Sequence, residues 1–202
     1  MGRAPSTPIR MVGTVFITCL LSATALAFTY EATRDRIAAQ ERIAEQRALS
    51  AVLASGERFE RLEDDILAKA EEHADKTPVT GAWRAYGADD AFVGFAIRLS
   101  PRGYGGPVHM VVGLDRDGKV AGVNIVQHRE TPGLGTKIIT EQWFGEQFIG
   151  WSPAELSADL DAYDTIKGAT KSADAVRDGI VAAINVYDGV LQGVEDEGGE
   201  GR

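Results

Sequence analysis

The sequence has a single cysteine among 202 residues, and this Cys19 lies inside an uncharged apolar run, so the rest of the chain can form neither an internal disulfide nor a thiolate metal site. An iron–sulfur centre ligated by this chain is excluded. Histidine is almost as scarce. His73, His109 and His128 stand far apart with no H-x-x-x-H or related spacing, which favours surface or sheet residues over metal ligands. There is no G-K-[ST], and no G-x-G-x-x-G between a strand and a helix, so ATP and NAD binding have no support. Acid is missing from the first 30 residues, where Arg3 and Arg10 are the only charges. Beyond Tyr30, 19 Lys and Arg stand against 30 Asp and Glu, a net charge of −11 that argues against a nucleic-acid partner.

What is present divides by composition. Met11 to Tyr30, MVGTVFITCLLSATALAFTY, carries no charge, and about 20 such residues span a bilayer core as a helix. Arg3 and Arg10 before it place the N-terminus in the cytoplasm and everything after Glu31 on the extracytoplasmic side of the inner membrane. A cleavable signal is the competing reading, since Ala25-Leu26-Ala27 has a small-x-small form. The run is longer than a signal core of about 7–15 residues and an amphipathic stretch follows it directly, so a retained anchor is favoured.

Glu31 to Ala54 is rich in Ala, Glu, Arg and Gln without Pro or Gly, which predicts a helix. Its few apolar positions, Ile37, Ile43, Leu49, Val52 and Leu53, form a narrow stripe that suits a solvated stalk better than a core helix. After a charged segment through Lys76 come four β-type runs, 79–86, 91–99, 108–114 and 120–127, with Asp115-Arg116-Asp117-Gly118 as a hairpin turn between the last two. A closing helix is predicted from Ser172 to Leu191, with Val176, Ile180, Ala183, Ile184, Tyr187 and Leu191 on the face that packs on the sheet. The acidic, Gly-rich end from Glu195 to Arg202 predicts disorder. The expected class is therefore α+β: a cytoplasmic N-terminus over 1–10, a transmembrane helix over 11–30, a helical stalk and linker over 31–76, an antiparallel sheet with packed helices over 77–192, and a tail over 193–202.

Two segments invite chemistry. Tyr163-Asp164-Thr165-Ile166-Lys167-Gly168-Ala169-Thr170-Lys171-Ser172 runs into the last helix, where Gly168 and Ala169 leave room for a bulky group. Unpaired N–H groups at a helix start favour a phosphate near Thr170, and Lys167 and Lys171 add positive charge. The plainer reading makes Thr170 or Ser172 an N-cap. His128-Arg129-Glu130-Thr131-Pro132-Gly133-Leu134-Gly135-Thr136-Lys137 leaves the last strand, and as a bare pattern it is a strand-to-helix turn. Upstream, Gly103-Tyr104-Gly105-Gly106-Pro107 leads into the 108–114 strand; Tyr104 is either a core aromatic or a stacking surface.

Together these segments resemble the FMN-binding domain found in the G subunits of Rnf-type electron transport complexes. Asp164, Gly168, Ala169 and Thr170 match a flavinylation motif of the form D-x-x-[ST]-G-A-T, E-T-P-G-L-G-x-K matches a second signature, and Gly103-Tyr104 resembles the lead-in to the family's central hairpin. The resemblance covers roughly 103–184 and implies FMN esterified through its phosphate to the Thr170 hydroxyl, attached by a separate flavin transferase. It places Glu130, Thr131, Leu134, Gly135 and Lys137 near the ring and ribityl chain, with Tyr104 as a candidate stacking partner. Lys167 departs from the usual Ser or Thr.

The function so implied is an electron carrier rather than a catalyst in its own right, anchored in the bilayer among the other subunits of a ferredoxin/NAD oxidoreductase complex coupled to ion translocation. Three rivals remain: the related C subunit of the sodium-translocating NADH:quinone reductase, a free-standing FMN-binding protein, and a non-redox structural or binding subunit that has lost its flavin.

Overall fold

The computed structural model describes residues 8–152 and 163–194; the predicted tail from Glu195 lies outside them. It divides at residue 45 into two compact units.

The first unit is one helix. Helix α1 (Pro8–Val52) takes in Arg10–Arg34, 25 residues of mean hydropathy 2.0, long and apolar enough to cross a membrane. Threonine in such a segment needs a partner for its hydroxyl. Here Thr14, Thr18, Thr24, Thr29 and Thr33 each donate to the carbonyl four residues back, at 2.8–2.9 Å.

The second unit starts with the last turns of α1 and continues through β1 (Arg58–Arg61), α2 (Asp64–His73), β2 (Val79–Tyr86), β3 (Phe92–Leu99), β4 (His109–Asp115) and β5 (Val120–Gln127). Two short helices follow, α3 (Lys137–Thr140) and α4 (Gln142–Glu146), and then α5 (Thr170–Val186), which ends in a π-helical turn over Tyr187–Leu191. The five strands form an antiparallel meander in the order β1-β2-β3-β4-β5. Each strand thus pairs with its sequence neighbour; β2–β3 and β4–β5 are joined by short turns, whereas the β1–β2 connection contains α2. In the β4–β5 turn the Asp115 carboxylate accepts the N–H groups of Asp117 and Lys119, both at 2.9 Å, and Gly118 takes φ +73°.

Strand alternation gives the sheet two buried faces. Phe95, Ile97 and Leu99 on β3 lie opposite Leu114, Val112 and Met110 on β4, and α5 covers this face with Val176, Ile180, Ala183, Ile184 and the rest of its predicted stripe. The fold class read from the sequence is the one observed, and the four predicted strands hold to within a residue.

The stalk reading needs correction at its end. Ala48, Leu49, Val52 and Leu53 are buried against Trp83, Ala85, Ala96 and Val111 on the other face of the sheet. Gly113 and Gly122, paired across β4 and β5, allow this approach: a Cβ on either would stand 2.5 and 2.7 Å from the Val52 carbonyl oxygen. Ile37 and Ile43 remain exposed, at 49% and 42%. Strand β1 and helix α2 also belong to the compact unit, within the stretch read as stalk and linker; from Glu57 to Lys76 only Leu62, Ala70 and Ala74 are buried, too few to show a period among so many charges. Truncating Leu49 to Ala should destabilise the second unit by about 2–5 kcal/mol. Ile43→Ala should change it by no more than about 0.5 kcal/mol, both read by urea unfolding of the full chain in detergent.

Candidate functional site

Three connections meet at one end of the sheet. The first, between β3 and β4, is folded on itself by Gly103 N–H donating to the Gly106 carbonyl at 2.8 Å and by a bridge between Arg102 and Pro107. The second leaves β5 at His128 and turns into α3. Its Leu134 and Thr136 N–H groups both reach the Thr131 carbonyl, at 3.2 and 3.3 Å, and Gly133 at φ +76° donates to the Thr136 hydroxyl at 3.0 Å. The turn expected of Pro132-Gly133 is therefore present. The third leads into α5. Gln147 holds the Asp164 backbone from both sides, accepting its N–H at 2.7 Å and donating to its carbonyl at 3.2 Å. Gly168 at φ +83° then turns the chain so that Ala169 N–H reaches the Ile166 carbonyl at 2.9 Å.

The two capping assignments fail. Thr170 is the first residue of α5 rather than its cap; Ala169 holds the cap position and makes no side-chain cap bond. Ser172 is buried, and its hydroxyl turns away from the helix to donate to Glu130 Oε2 at 2.6 Å. The other Glu130 oxygen, Oε1, accepts the Gly105 N–H at 3.1 Å. Glu130 is 5% exposed, so its carboxylate is enclosed by donors from the first and third connections while belonging to the second. Side chains at 103 or 135 would displace it: a Cβ on Gly103 would lie 2.2 Å from Oε1, and one on Gly135 2.8 Å from Oε2. The sequence suggested that Glu130 lines a ligand. Its oxygens are in fact held by protein donors, so it joins the walls of the site.

Those walls enclose a cleft of about 530 Å³, within the range of small-molecule sites. Tyr104 contributes from the first connection, Glu130, Thr131, Leu134 and Gly135 from the second, and Gly168, Ala169, Thr170 and Lys171 from the third, with Ser172 behind them. Nine of the residues singled out in the sequence thus share one cavity; Lys137 and the exposed Lys167 do not line it. Tyr104, 72% exposed, is no core residue. A wider cleft of about 710 Å³ lies between β1, α2 and the chain after α5, but Glu60, Glu63, Asp65, Arg61 and Lys69 line it with both signs of charge, and no motif residue reaches it.

Chemically, the smaller cleft offers an apolar side chain at Leu134, an aromatic ring at Tyr104, an exposed hydroxyl at Thr170 and the free first-turn N–H groups of α5 beside the Lys171 ammonium. That set suits a ligand with a flat apolar part and an anionic end. Sequence reasoning did not foresee two supports of the third connection: the Gln147 bracket, and Tyr163, whose hydroxyl donates to Asp174 on α5. Burial, and then the Asp174 carboxylate, push the Tyr163 phenol above its ordinary range, which keeps it a donor even in alkaline solution.

The FMN-binding domain family model matches residues 103–185, which take in most of the first connection and the other two, and the model of the RnfG N-terminal region matches residues 10–52. The G subunit of the ion-translocating oxidoreductase complex of Stutzerimonas stutzeri is 32% identical, over 83% of this chain and 75% of its own. Its counterpart from Methanosarcina acetivorans is 26% identical, over 87% and 92%. The G subunit of the proton-translocating ferredoxin:NAD(+) oxidoreductase complex of Clostridium ljungdahlii is 28% identical, over 83% and 85%. The identity with the Stutzerimonas chain and the length it spans, together with the order of the motifs around the cleft, make this chain a member of the G-subunit family of ion-translocating oxidoreductase complexes, with an FMN-binding domain over residues 103–185.

Proposed function

We propose that the cleft holds FMN with its phosphate esterified to Thr170, and that the chain carries electrons through this flavin within a membrane complex that moves ions, as its relatives' names describe. The observation that carries the reading is the exposed Thr170 hydroxyl, at the start of α5 and in the same cavity as Tyr104 and Leu134. Bound there, FMN would supply reversible redox chemistry.

The chain's own residues hold and orient. The α5 N-terminus and Lys171 stabilise the phosphate, Gly168 adds no Cβ beside Leu134, Gly135 leaves room for the Glu130–Ser172 contact, and Leu134 and Tyr104 present surface for a flat ring. Thr170 is not a catalyst. An unactivated hydroxyl is a weak nucleophile, so a separate flavin transferase is required. The Thr170 oxygen bonds to the FMN phosphorus as the phosphoanhydride bond of a flavin dinucleotide donor breaks, the nucleoside monophosphate leaving and the hydroxyl proton passing to a base of the transferase. Lys167, which departs from the usual Ser or Thr, is exposed and does not line the cavity, so the departure leaves the cleft's lining unchanged. Arg3 and Arg10, ahead of the uncharged run from Met11 to Tyr30, support an extracytoplasmic domain, with the other subunits as its partners and that run in the bilayer.

Co-expression with a flavin transferase, followed by intact-mass analysis and in-gel fluorescence under denaturing conditions, tests the attachment. Wild type should gain one FMN and fluoresce; Thr170→Ala should do neither. Unmodified wild type beside an active transferase would favour the non-redox role instead. Gly135→Ala offers a second test. Its methyl group would stand 2.7–2.9 Å from Glu130 and Ser172, so the clamp must open at a cost of about 1–3 kcal/mol, and FMN occupancy in the same assay should drop although Thr170 is intact.

A further inference from the structure

The clamp residue's own backbone is held from two positions back. The Glu130 N–H donates to Nδ1 of His128 at 3.1 Å, the i to i+2 arrangement that Asn and Asp side chains make in turns. A backbone N–H can donate only to a ring nitrogen that carries a lone pair, so this contact requires neutral imidazole with its proton on Nε2. We propose that His128 is a positioning residue for the cleft: its neutral ring fixes the backbone from which Glu130 reaches Gly105 and Ser172, and protonation of the ring releases that backbone and weakens ligand retention. This rests on the reading that the cleft holds FMN.

The surroundings of the ring favour release over compensation. His128 is half-buried in a small cleft of about 180 Å³ that it shares with Pro107, His109, Gln127 and Arg129. The His109 Nδ1 is engaged with the Ser100 hydroxyl at 2.7 Å, and Arg129 is exposed at the rim. Among the described residues no carboxylate lines this cleft, and the Glu130 carboxylate is turned to Gly105 and Ser172. A proton taken from solvent at Nδ1 would therefore place two N–H groups head to head beside an arginine. Only movement of the ring or of residues 128–130 relieves that.

The test uses the full chain in detergent, before flavin attachment, with FMN binding followed by quenching of flavin fluorescence from pH 8 to pH 5, where imidazoles take up a proton. His128→Asn supplies a carbonyl acceptor that does not titrate, so its profile reports the dependence due to the FMN phosphate itself. Wild-type affinity should fall about tenfold further than that of His128→Asn over this range, and His128→Leu should bind about tenfold more weakly than His128→Asn already at pH 8, as expected for a lost buried hydrogen bond. Amide-exchange protection of the Glu130 N–H at pH 8 should be high in wild type and His128→Asn and low in His128→Leu. If the Leu variant loses protection throughout the sheet it has failed to fold, and the comparison of wild type with His128→Asn decides. Superposed wild-type and His128→Asn profiles would overturn the role of His128 alone. Absence of FMN binding by wild type at every pH would overturn the reading of the cleft and this inference with it.

Discussion

The Glu130 carboxylate takes a backbone N–H from Gly105 and a hydroxyl from Ser172, partners 25 and 42 residues away along the chain. A buried carboxylate is costly unless donors replace its lost water, and here those donors come from separate connections. The charge thus makes the arrangement cooperative. If any one of the three segments moves, the carboxylate loses a partner inside the protein, and the Cβ-free positions at 103 and 135 give it room. Ser172 sits in the first turn of α5, where the helix dipole favours negative charge, so the same helix end that supports the clamp also offers N–H groups to an anionic ligand.

The scaffold beneath is suited to holding such a site still. The sheet is a meander of neighbouring strands, and α5 is fixed along one face by a stripe running to Tyr187 and Leu191. Tyr187 closes the far end: its hydroxyl donates to the Arg116 carbonyl at 2.6 Å, and its ring lies where a Cβ on Gly118 would be. The other face is covered by the last turns of α1, so the sheet is buried on both sides at its centre and the variable connections at its edge can carry function.

How much of this was legible depended on whether the signal was local. Strands of alternating Val, Ile and Phe, the Asp115 to Gly118 turn and the α5 stripe all declare themselves within a few residues, and they fold as read. The end of α1 did not, because its contact surface includes Ala48 and its approach depends on Gly113 and Gly122, which mean nothing until the helix is placed over them. Of the site residues, those in the Gly-Ala-Thr and Thr-Pro-Gly-Leu-Gly runs were found by motif, and the structure brings most of them into one cavity. Their division of labour was hidden. That Glu130 faces protein donors, that Ser172 serves Glu130 rather than the helix start, and that Gln147 brackets Asp164 are all long-range pairings, which one sequence does not reveal.

The most direct measurement is a crystal structure of the soluble unit in the FMN-carrying full-length protein. Flavin in the cleft between Tyr104 and Leu134, its phosphate at Thr170 and the Glu130 bonds to Gly105 and Ser172 intact, is the expected result. Flavin bound instead in the wider cleft beside His73 and Arg84, or a Glu130 side chain swung out to contact it, would contradict the idea that Glu130 assembles the site from within.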